Sequence, residues 1–279
     1  MGIVVNTNTS STMVQRSLNG ATSGISKSLE RLSTGLKINR AGDDAAGLVI
    51  SQGLESQARG AGVASDNAQT GINLLQTAEG DLGVIQENLQ RVRDLSVQAA
   101  NGTLGAEERK AIKSEVTARL AEIDRTANSS KFNAISLLDG TSSSLSLQIG
   151  TNSGSTLNAL SVSGPLGKAT SSALGIDSTA GTFFGTASAC SSFIGVIDSA
   201  IASVSTKRSD IGSLQNRLES TIKSLSVKKE NMEASNSRIR DVDVAKEAAS
   251  LTKNQILQQA SASLLAQANQ APQVALSLI

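Results

Sequence analysis

The residue types that usually carry out catalysis are scarce in this sequence. Its 279 residues include no histidine and a single cysteine, Cys190. Histidine is the commonest general base and the commonest metal ligand, so this cysteine lacks its usual activating base, and no intrachain disulfide can form. We therefore interpret Cys190 as a small, partly buried residue in a Ser/Ala-rich stretch and not as a nucleophile.

Two adjacent carboxylates, Asp43 and Asp44, are the other candidates for chemistry. Paired carboxylates can transfer protons or bind a metal ion, but no third ligand lies near them in the sequence. They follow Gly42 and precede two alanines, which is typical of a linker that ends in a helix cap. We predict a cap here, with no catalytic residue, no cofactor and no metal site in the chain.

The composition excludes several classes of function. With 25 basic and 24 acidic residues, the chain lacks the basic excess of a nucleic-acid binder. Aromatic residues make up 1% of it, so base-stacking platforms are not expected. We expect no apolar stretch that spans a membrane and no cleaved secretory signal, because a polar run follows the first few apolar residues. The residues alone would thus place the protein in the cytoplasm.

An apolar residue recurs every seven residues along the C-terminal part of the chain. This ladder consists of Ile197, Val204, Ile211, Leu218, Leu225, Met232 and Ile239. It is widened by Ile201, Leu214 and Ile222, while basic side chains lie off it. Such a repeat predicts a long helix that packs along other helices. Because one helix cannot cover its own stripe, partner helices are required.

The N-terminal half contains shorter versions of the same pattern. One heptad position near the N-terminus holds Leu18, Ile25 and Leu32, and a second helix is predicted over residues 72–99. Asn101-Gly102 is typical of a helix end, and Thr103 is the predicted cap of a third helix. Glu107 and Glu108 would favour the dipole of that helix.

The middle of the chain, at about residues 130–192, is rich in Ser, Thr and Gly. Leu145, Leu147 and Ile149 alternate with polar residues, and Leu160 and Val162 continue the alternation after a polar turn. This pattern predicts a β-hairpin. We expect a small exposed insertion with no core of its own.

The last segment is predicted to be helical again and to end at Pro272. We expect one side of this helix to be lined by Leu251, Leu257, Leu264, Leu265 and Ala268. Both ends of the chain would then be amphipathic helices. The simplest way to cover their stripes is to pair them with each other and with copies in neighbouring molecules.

Five stretches closely resemble bacterial flagellins. They are INRAGDDAAG (38–47), NLQRVRDLSVQ (88–98), LQNRL (214–218), QILQQA (255–260) and LAQANQAP (265–272). They lie in the family's order, in the regions that match the flagellin terminal regions. The resemblance implies a mainly α fold, with a long antiparallel α-helical coiled coil, a helix bundle and a small β-hairpin insertion. It implies an inner coiled-coil domain of residues 1–42 with 242–279, and an outer helical-bundle domain of residues 43–241.

The resemblance further implies a structural subunit, not an enzyme. In this family the subunits self-assemble into the filament of the bacterial flagellum for swimming motility, with the paired termini forming the inner tube. Flagellins are secreted through the flagellar type III export apparatus without a cleaved Sec signal, which would make this protein extracellular. The implied partners are further copies of the chain, an export chaperone, and the filament cap and hook–filament junction proteins.

Two alternatives remain at this point. A hook–filament junction protein shares the logic of the termini. A cytoplasmic coiled-coil signalling module of the chemoreceptor type shares the Ala/Gln/Ser-rich heptads and the lack of aromatic residues. The glycine-rich linker and the QANQAP tail argue against the signalling module.

The resemblance also implies a ligand of a vertebrate innate immune receptor. In flagellins that the flagellin-sensing Toll-like receptor recognises, the contact patch lies on the matching helix and the next one. Its positions correspond here to Gln90, Arg91, Leu95 and Glu115. We expect Arg91 to lie beside an exposed Leu95. The chain departs from the common pattern at two neighbouring positions, 94 and 96, which leaves its potency open.

Overall fold

The computed structural model describes residues 7–141, 144–164, 166–176 and 184–276. The helices are α1 (Thr9–Thr34), α2 (Ala45–Ala99), α3 (Ala106–Ser129), α4 (Ser155–Asn158), α5 (Ala187–Arg240) and α6 (Val244–Leu276). The strands are β1 (Lys131–Phe132), β2 (Ile135–Ser136), β3 (Ser144–Gln148) and β4 (Ala159–Ser163). The mainly α fold with a small β insertion is therefore confirmed.

Local sequence explains where the first two helices begin and end. Asn8 Oδ1 accepts a hydrogen bond from Ser11 N at 3.0 Å and caps α1. Gly35, with φ of 72°, ends α1 in the left-handed conformation that glycine adopts without a Cβ penalty. Asp44 Oδ1 accepts a hydrogen bond from Gly47 N at 2.9 Å at the start of α2, which confirms the predicted cap.

Three predicted helix boundaries are wrong. The second helix was expected over residues 72–99, but α2 already begins at Ala45. Thr103 does not cap α3, because the helix begins after Gly105, whose position is the N-cap. Thr103 N instead donates to Asn101 Oδ1 at 3.2 Å within the preceding turn. At the other end of the chain, α6 continues through Pro272 to Leu276.

The predicted hairpin is present. β3 and β4 pair antiparallel, with Leu145 opposite Val162 and Leu147 opposite Leu160. The expectation that the insertion is exposed and separate from the core is wrong. Leu160 and Val162 are buried in the helical core, and Leu145 and Leu147 pack against it. One face of the pair therefore lies on the helices and the other alternates outward.

A second, smaller hairpin was not predicted. β1 and β2 are two residues each and are joined by Asn133 and Ala134, whose φ values are 45° and 66°. Two successive positive φ angles are what a tight type I′ turn requires. Asparagine adopts this conformation readily, but alanine rarely does. Only one of the two turn residues is therefore of a type that predicts such a turn.

The chain divides into two compact units, residues 1–58 with 230–279 and residues 59–229. The unit of residues 59–229 contains the main core, to which α2, α3, α5 and the insertion all contribute. Ile197, Val204, Ile211 and Leu218 of the heptad ladder are fully buried in it. Leu225 is buried in a smaller cluster with Ala61 and Ala64.

The expectation that the chain has no apolar stretch long enough to span a membrane is wrong. α5 contains an 18-residue stretch with a mean hydropathy of 1.5, which is long and apolar enough to cross a bilayer. Length and composition alone are weak support for a span, because the core helix of a globular protein has the same properties. In α5 the apolar residues from Cys190 to Val204 that are buried belong to the core.

Candidate assembly surface

α1 and α6 pack against each other in the unit of residues 1–58 and 230–279. The two helices run antiparallel. Near the start of α1, Asn8 Nδ2 donates to Ala268 O near the end of α6 at 2.8 Å, and near the end of α1, Ser28 Oγ donates to Glu247 Oε1 near the start of α6 at 2.6 Å. Between these ends, Gln258 Nε2 donates to Thr22 Oγ1 at 3.2 Å.

The α1 side of this seam follows the predicted heptad. Leu18, Ile25 and Leu32 are partly buried, and Ala21 and Ser28 are buried between them. Apolar and small residues thus alternate with a spacing of three and four, as expected where two helices pack side by side.

The α6 side of the seam is more polar than predicted. The residues at least partly shielded from solvent are Glu247, Ser250, Leu251, Asn254, Gln258, Ser261, Leu265 and Ala268. Ser261 is the most deeply buried of them. Polar side chains in such a seam favour one register at some cost in stability.

Leu257 and Leu264 do not line the same side as Leu251 and Leu265, so this part of the prediction is wrong. They are 42% and 53% exposed, and the neighbouring Ile256 is 60% exposed. The reason is the phase of the helix, because the residues one position further along, 258 and 265, lie in the seam. α6 therefore presents a second, uncovered apolar face.

The C-terminal end of the α5 ladder belongs to the same unit as α1 and α6. Met232 and Ile239 are partly buried there. Arg240 Nη1 lies 3.3 Å from Glu55 Oε2 on α2, and Arg240 O accepts a hydrogen bond from Lys37 N at 2.6 Å. Contacts of this kind hold the linker after α1 against the end of α5.

The linker itself is organised around Asp43. Its Oδ1 lies 2.8 Å from Lys27 Nζ, and its Oδ2 accepts hydrogen bonds from the backbone N–H groups of Asn39 and Arg40, each at 3.3 Å. The hydrogen bond from Lys27, followed by those two backbone donors, lowers the pKa of Asp43 from 3.8 to about 2. This carboxylate is therefore a structural anion within the linker.

Three of the four predicted receptor-contact residues lie at the surface of the unit of residues 59–229. Gln90 is exposed, and Arg91 on α2 bridges to α3, where its Nε and Nη2 donate to Glu115 Oε1 at 3.1 and 2.9 Å. About half of the Arg91 side chain and 40% of the Glu115 side chain remain exposed.

The expectation that Leu95 is exposed is wrong. Leu95 is 3% exposed and belongs to the main core. It lies one helical turn from Val92 and Ala99, which are also buried, so its heptad position faces inward. The surface beside Arg91 is therefore polar, with Gln90 and Asp94 exposed.

Cys190 is fully buried, more deeply than the sequence suggested. Burial raises the pKa of its thiol, which disfavours the reactive thiolate. Within the described residues, no group of three or more His, Cys, Asp and Glu side chains could hold a metal ion.

Both helical ends of the chain match one known family. Residues 5–143 match the family model of the bacterial flagellin N-terminal helical region, and residues 194–279 match that of the bacterial flagellin C-terminal helical region. The chain belongs to the bacterial flagellin family. The resemblance seen in the sequence is thereby confirmed. Flagellins are structural proteins, and the chain is not an enzyme.

Individual relatives match over almost the full length. The chain is 41% identical to the flagellar filament 33 kDa core protein of Treponema phagedenis, over 99% of this chain and all of the relative. It is 42% identical to the flagellin of Bacillus subtilis, over 94% of this chain and 95% of the relative. These matches argue against the cytoplasmic signalling module.

The fold is also found in a solved structure. A Vibrio parahaemolyticus protein described as a flagellar hook-associated protein superposes with a TM-score of 0.59. The match covers 71% of this chain and all of that one, at 15% sequence identity. At this identity the likeness concerns the fold alone.

Proposed function

We propose that this chain self-assembles into the filament of the bacterial flagellum and serves swimming motility as an extracellular structural subunit. The observation that carries the proposal is the uncovered apolar face of α6, formed by Ile256, Leu257 and Leu264. The full-length similarity to a flagellar filament core protein and to a flagellin supports a filament subunit over a hook–filament junction protein.

The energetics of the α1–α6 pair support neighbouring subunits as the cover of this face. Each buried leucine contributes about 1.5 to 3 kcal/mol, and polar residues occupy five of the eight seam positions on α6. A pair with so few buried apolar side chains is marginal alone. Burying Leu257 and Leu264 against adjacent copies would supply the missing stabilisation.

We infer from the family resemblance that the inner coiled-coil domain, residues 1–42 with 242–279, forms the inner tube of the filament. In our proposal the residues of the α5 ladder, Ile197 to Ile239, pack within the subunit, and Leu257 and Leu264 make the contacts between subunits. Residues 43–241 form the outer domain in this proposal, although packing divides the chain at residues 58/59 and 229/230.

Removal of α6 from Leu251 onward tests the assembly role. We expect the truncated chain to form no stable filaments while the unit of residues 59–229, which has its own core, keeps its helical circular dichroism. Electron microscopy that shows filaments of normal length from the truncated chain would contradict the proposal.

A pair of adjacent point variants separates assembly from folding. Leu264 is exposed and Leu265 lies in the seam, so Leu264→Gln should block filament growth without weakening the α1–α6 pair. Leu265→Gln should weaken the pair itself, which amide exchange of α1 would report. Normal filament growth by Leu264→Gln would remove this face from the assembly surface.

We infer from the family the route by which the chain reaches the filament. The subunit would leave the cell through the flagellar type III apparatus with an export chaperone, and would add beneath the filament cap beyond the junction proteins. Expression in a flagellin-deficient swimming bacterium tests this route, and filaments together with restored swimming are the expected result. Retention of the chain inside this host, when the host's own flagellin is exported after its gene is restored, would contradict it.

A second proposed activity is binding to the vertebrate flagellin-sensing Toll-like receptor. The specific observation in its favour is the half-exposed Arg91–Glu115 pair, which presents a guanidinium and a carboxylate together on two helices. Gln90 would extend the contact. The buried Leu95 would not contact the receptor and would only hold α2 in the core.

Reporter cells that express the receptor test this activity. Arg91→Ala monomers should signal less strongly than the parent, and intact filaments should not signal if assembly covers the patch. Arg125→Ala is the matched control, because Arg125 pairs with Glu122 on the exposed side of α3 in a similar way. Unchanged potency of Arg91→Ala monomers would exclude the assignment.

A further inference from the structure

The chain contains two Asn-Gly dipeptides in very different surroundings. Asn19-Gly20 lies in the interior of α1, where the N–H of residue 20 is part of the helical hydrogen-bond ladder. Asn101-Gly102 lies between the end of α2 at Ala99 and the start of α3. Such a dipeptide is chemically unstable when the backbone nitrogen of the glycine can reach the side chain of the asparagine.

The turn at Asn101 leaves that nitrogen accessible. Both Asn101 and Gly102 are exposed. Asn101 N donates to Gln98 O at 3.1 Å, and Leu104 N donates to Asn101 O at 3.2 Å. Within the described part of the chain, Gly102 N donates no hydrogen bond. A β-carbon placed on Gly102 would meet no other atom within 4 Å, so the approach to this residue is open.

The side chain of Asn101 is hydrogen-bonded within the same turn. Thr103 N donates to Asn101 Oδ1 at 3.2 Å, which folds the side chain back along its own turn. This hydrogen bond polarises the side-chain carbonyl and makes Cγ a better electrophile. The nucleophile and the electrophile thus belong to adjacent, exposed residues of one turn.

We propose that Asn101 is a site of spontaneous deamidation and isoaspartate formation in the folded protein. Gly102 N attacks Cγ of Asn101, the Cγ–Nδ2 bond breaks, and the proton of Gly102 N leaves with the amide as ammonia. One water molecule then opens the five-membered succinimide. Cleavage at Cγ–N gives aspartate, and cleavage at the main-chain carbonyl gives isoaspartate, which adds one methylene to the backbone.

Both products change the α2–α3 turn. Either one places a new negative charge just beyond the C-terminal end of α2, where the helix dipole disfavours it. Isoaspartate also lengthens the turn between Gln98 and Leu104, whose carbonyl and amide bond to residue 101. The fraction of chains with an altered α2–α3 connection would therefore increase as the protein ages.

Ageing of the full chain tests the proposal. Identical samples are incubated in mildly alkaline buffer with and without urea, and the peptide that contains residue 101 is followed by its mass and by isoaspartate methyltransferase labelling. In urea, Asn19 and Asn101 both react and give the unhindered rates. We expect Asn101 in native buffer to react nearly as fast as in urea, because its turn needs no local unfolding.

Two results decide the matter. If the native rate at Asn101 is about tenfold or more below its rate in urea, the fold protects the site and the proposal is wrong, since tenfold corresponds to about 1.4 kcal/mol of opening. The second variant, Gly102→Ala, fits the open space and should slow the native reaction roughly tenfold by hindering the attacking nitrogen. An unchanged rate in Gly102→Ala would also overturn the proposed mechanism.

Discussion

Gly24 on α1 faces the side-chain amide of Asn254 on α6, and a β-carbon placed on Gly24 would lie 2.6 Å from Asn254 Nδ2. The missing side chain of the glycine therefore makes room for a polar residue in the seam. Neighbouring hydrogen bonds, such as that between Ser28 and Glu247, fix the same alignment of the two helices. The seam thus specifies its register through polar and small residues more than through apolar area.

Substitution of two glycines in α1 should separate helix propensity from this contact. Gly20 has no neighbouring atom within 4 Å, so Gly20→Ala should stabilise α1 by about 0.5 to 1 kcal/mol. Gly24→Ala gains the same propensity but must displace Asn254, and should be less stable than Gly20→Ala by about 1 kcal/mol. Amide exchange of α1 in the full chain measures both values. Equal gains would mean that Asn254 moves without cost.

Adjacent residues on α5 should differ sharply when each is changed to aspartate. Leu218 is fully buried, and a β-carbon placed on Gly71 of α2 would lie 3.5 Å from its Cδ1. Leu218→Asp should destabilise the unit of residues 59–229 by at least about 4 kcal/mol, because it removes packing and buries a charge. Arg217 is exposed, and Arg217→Asp should change the melting temperature little. Equal effects would show that the ladder has a different phase.

A carboxylate on α3 also binds the insertion through hydrogen bonds. Asp124 Oδ1 and Oδ2 accept hydrogen bonds from Ser171 N and Ser171 Oγ, each at 2.7 Å, and Ser171 is buried. Asp124→Ala should cost about 2 kcal/mol, because it leaves two buried donors unpaired. Glu122→Ala is the control on the same helix, since Glu122 pairs with the exposed Arg125 and should matter little. Urea unfolding of both variants measures their free energies of unfolding. Equal losses in the two variants would mean that Asp124 contributes no more to stability than the exposed Glu122.

The sequence predicts the α5 ladder well and the α6 face poorly, for a physical reason. In α5 the residues every seven positions are apolar, and the additional Ile201, Leu214 and Ile222 lie three or four residues after ladder residues, on the same face, so one phase is favoured. In α6 the apolar residues occur in adjacent pairs, Ile256-Leu257 and Leu264-Leu265, while the seam uses Asn254 and other polar side chains. Apolar periodicity alone cannot then tell the seam from the opposite face.

A similar limit applies to the receptor-contact residues. The sequence positions of Gln90, Arg91 and Glu115 predicted a surface, and the three side chains do lie there. Leu95 was assigned to that surface by its motif, although its spacing from Val92 and Ala99 marks the core face. Periodicity was the better guide at this position. The buried insertion was missed because Ser/Thr/Gly-rich composition hides the few apolar residues that reach the core.

The Asp43 carboxylate should make the linker sensitive to acid. Its pKa is about 2 in the folded protein and 3.8 without its partners, so the folded state binds the proton less tightly than the unfolded state. The stability that Asp43 contributes is therefore fully present above about pH 4. It is lost as the pH falls towards 2, where the folded carboxyl also takes up a proton.

Comparison of the parent chain with Asp43→Asn isolates this effect from that of other carboxylates. The difference in unfolding free energy between the two chains should be constant from neutral pH to about pH 4 and should shrink towards pH 2. Lys27→Gln removes the largest cause of the shift, and should move the pKa of Asp43, followed by the NMR shift of its carboxyl carbon, back towards 3.8. A titration midpoint near 3.8 in the parent chain would mean that neither Lys27 nor the backbone N–H groups of Asn39 and Arg40 stabilise the charged form.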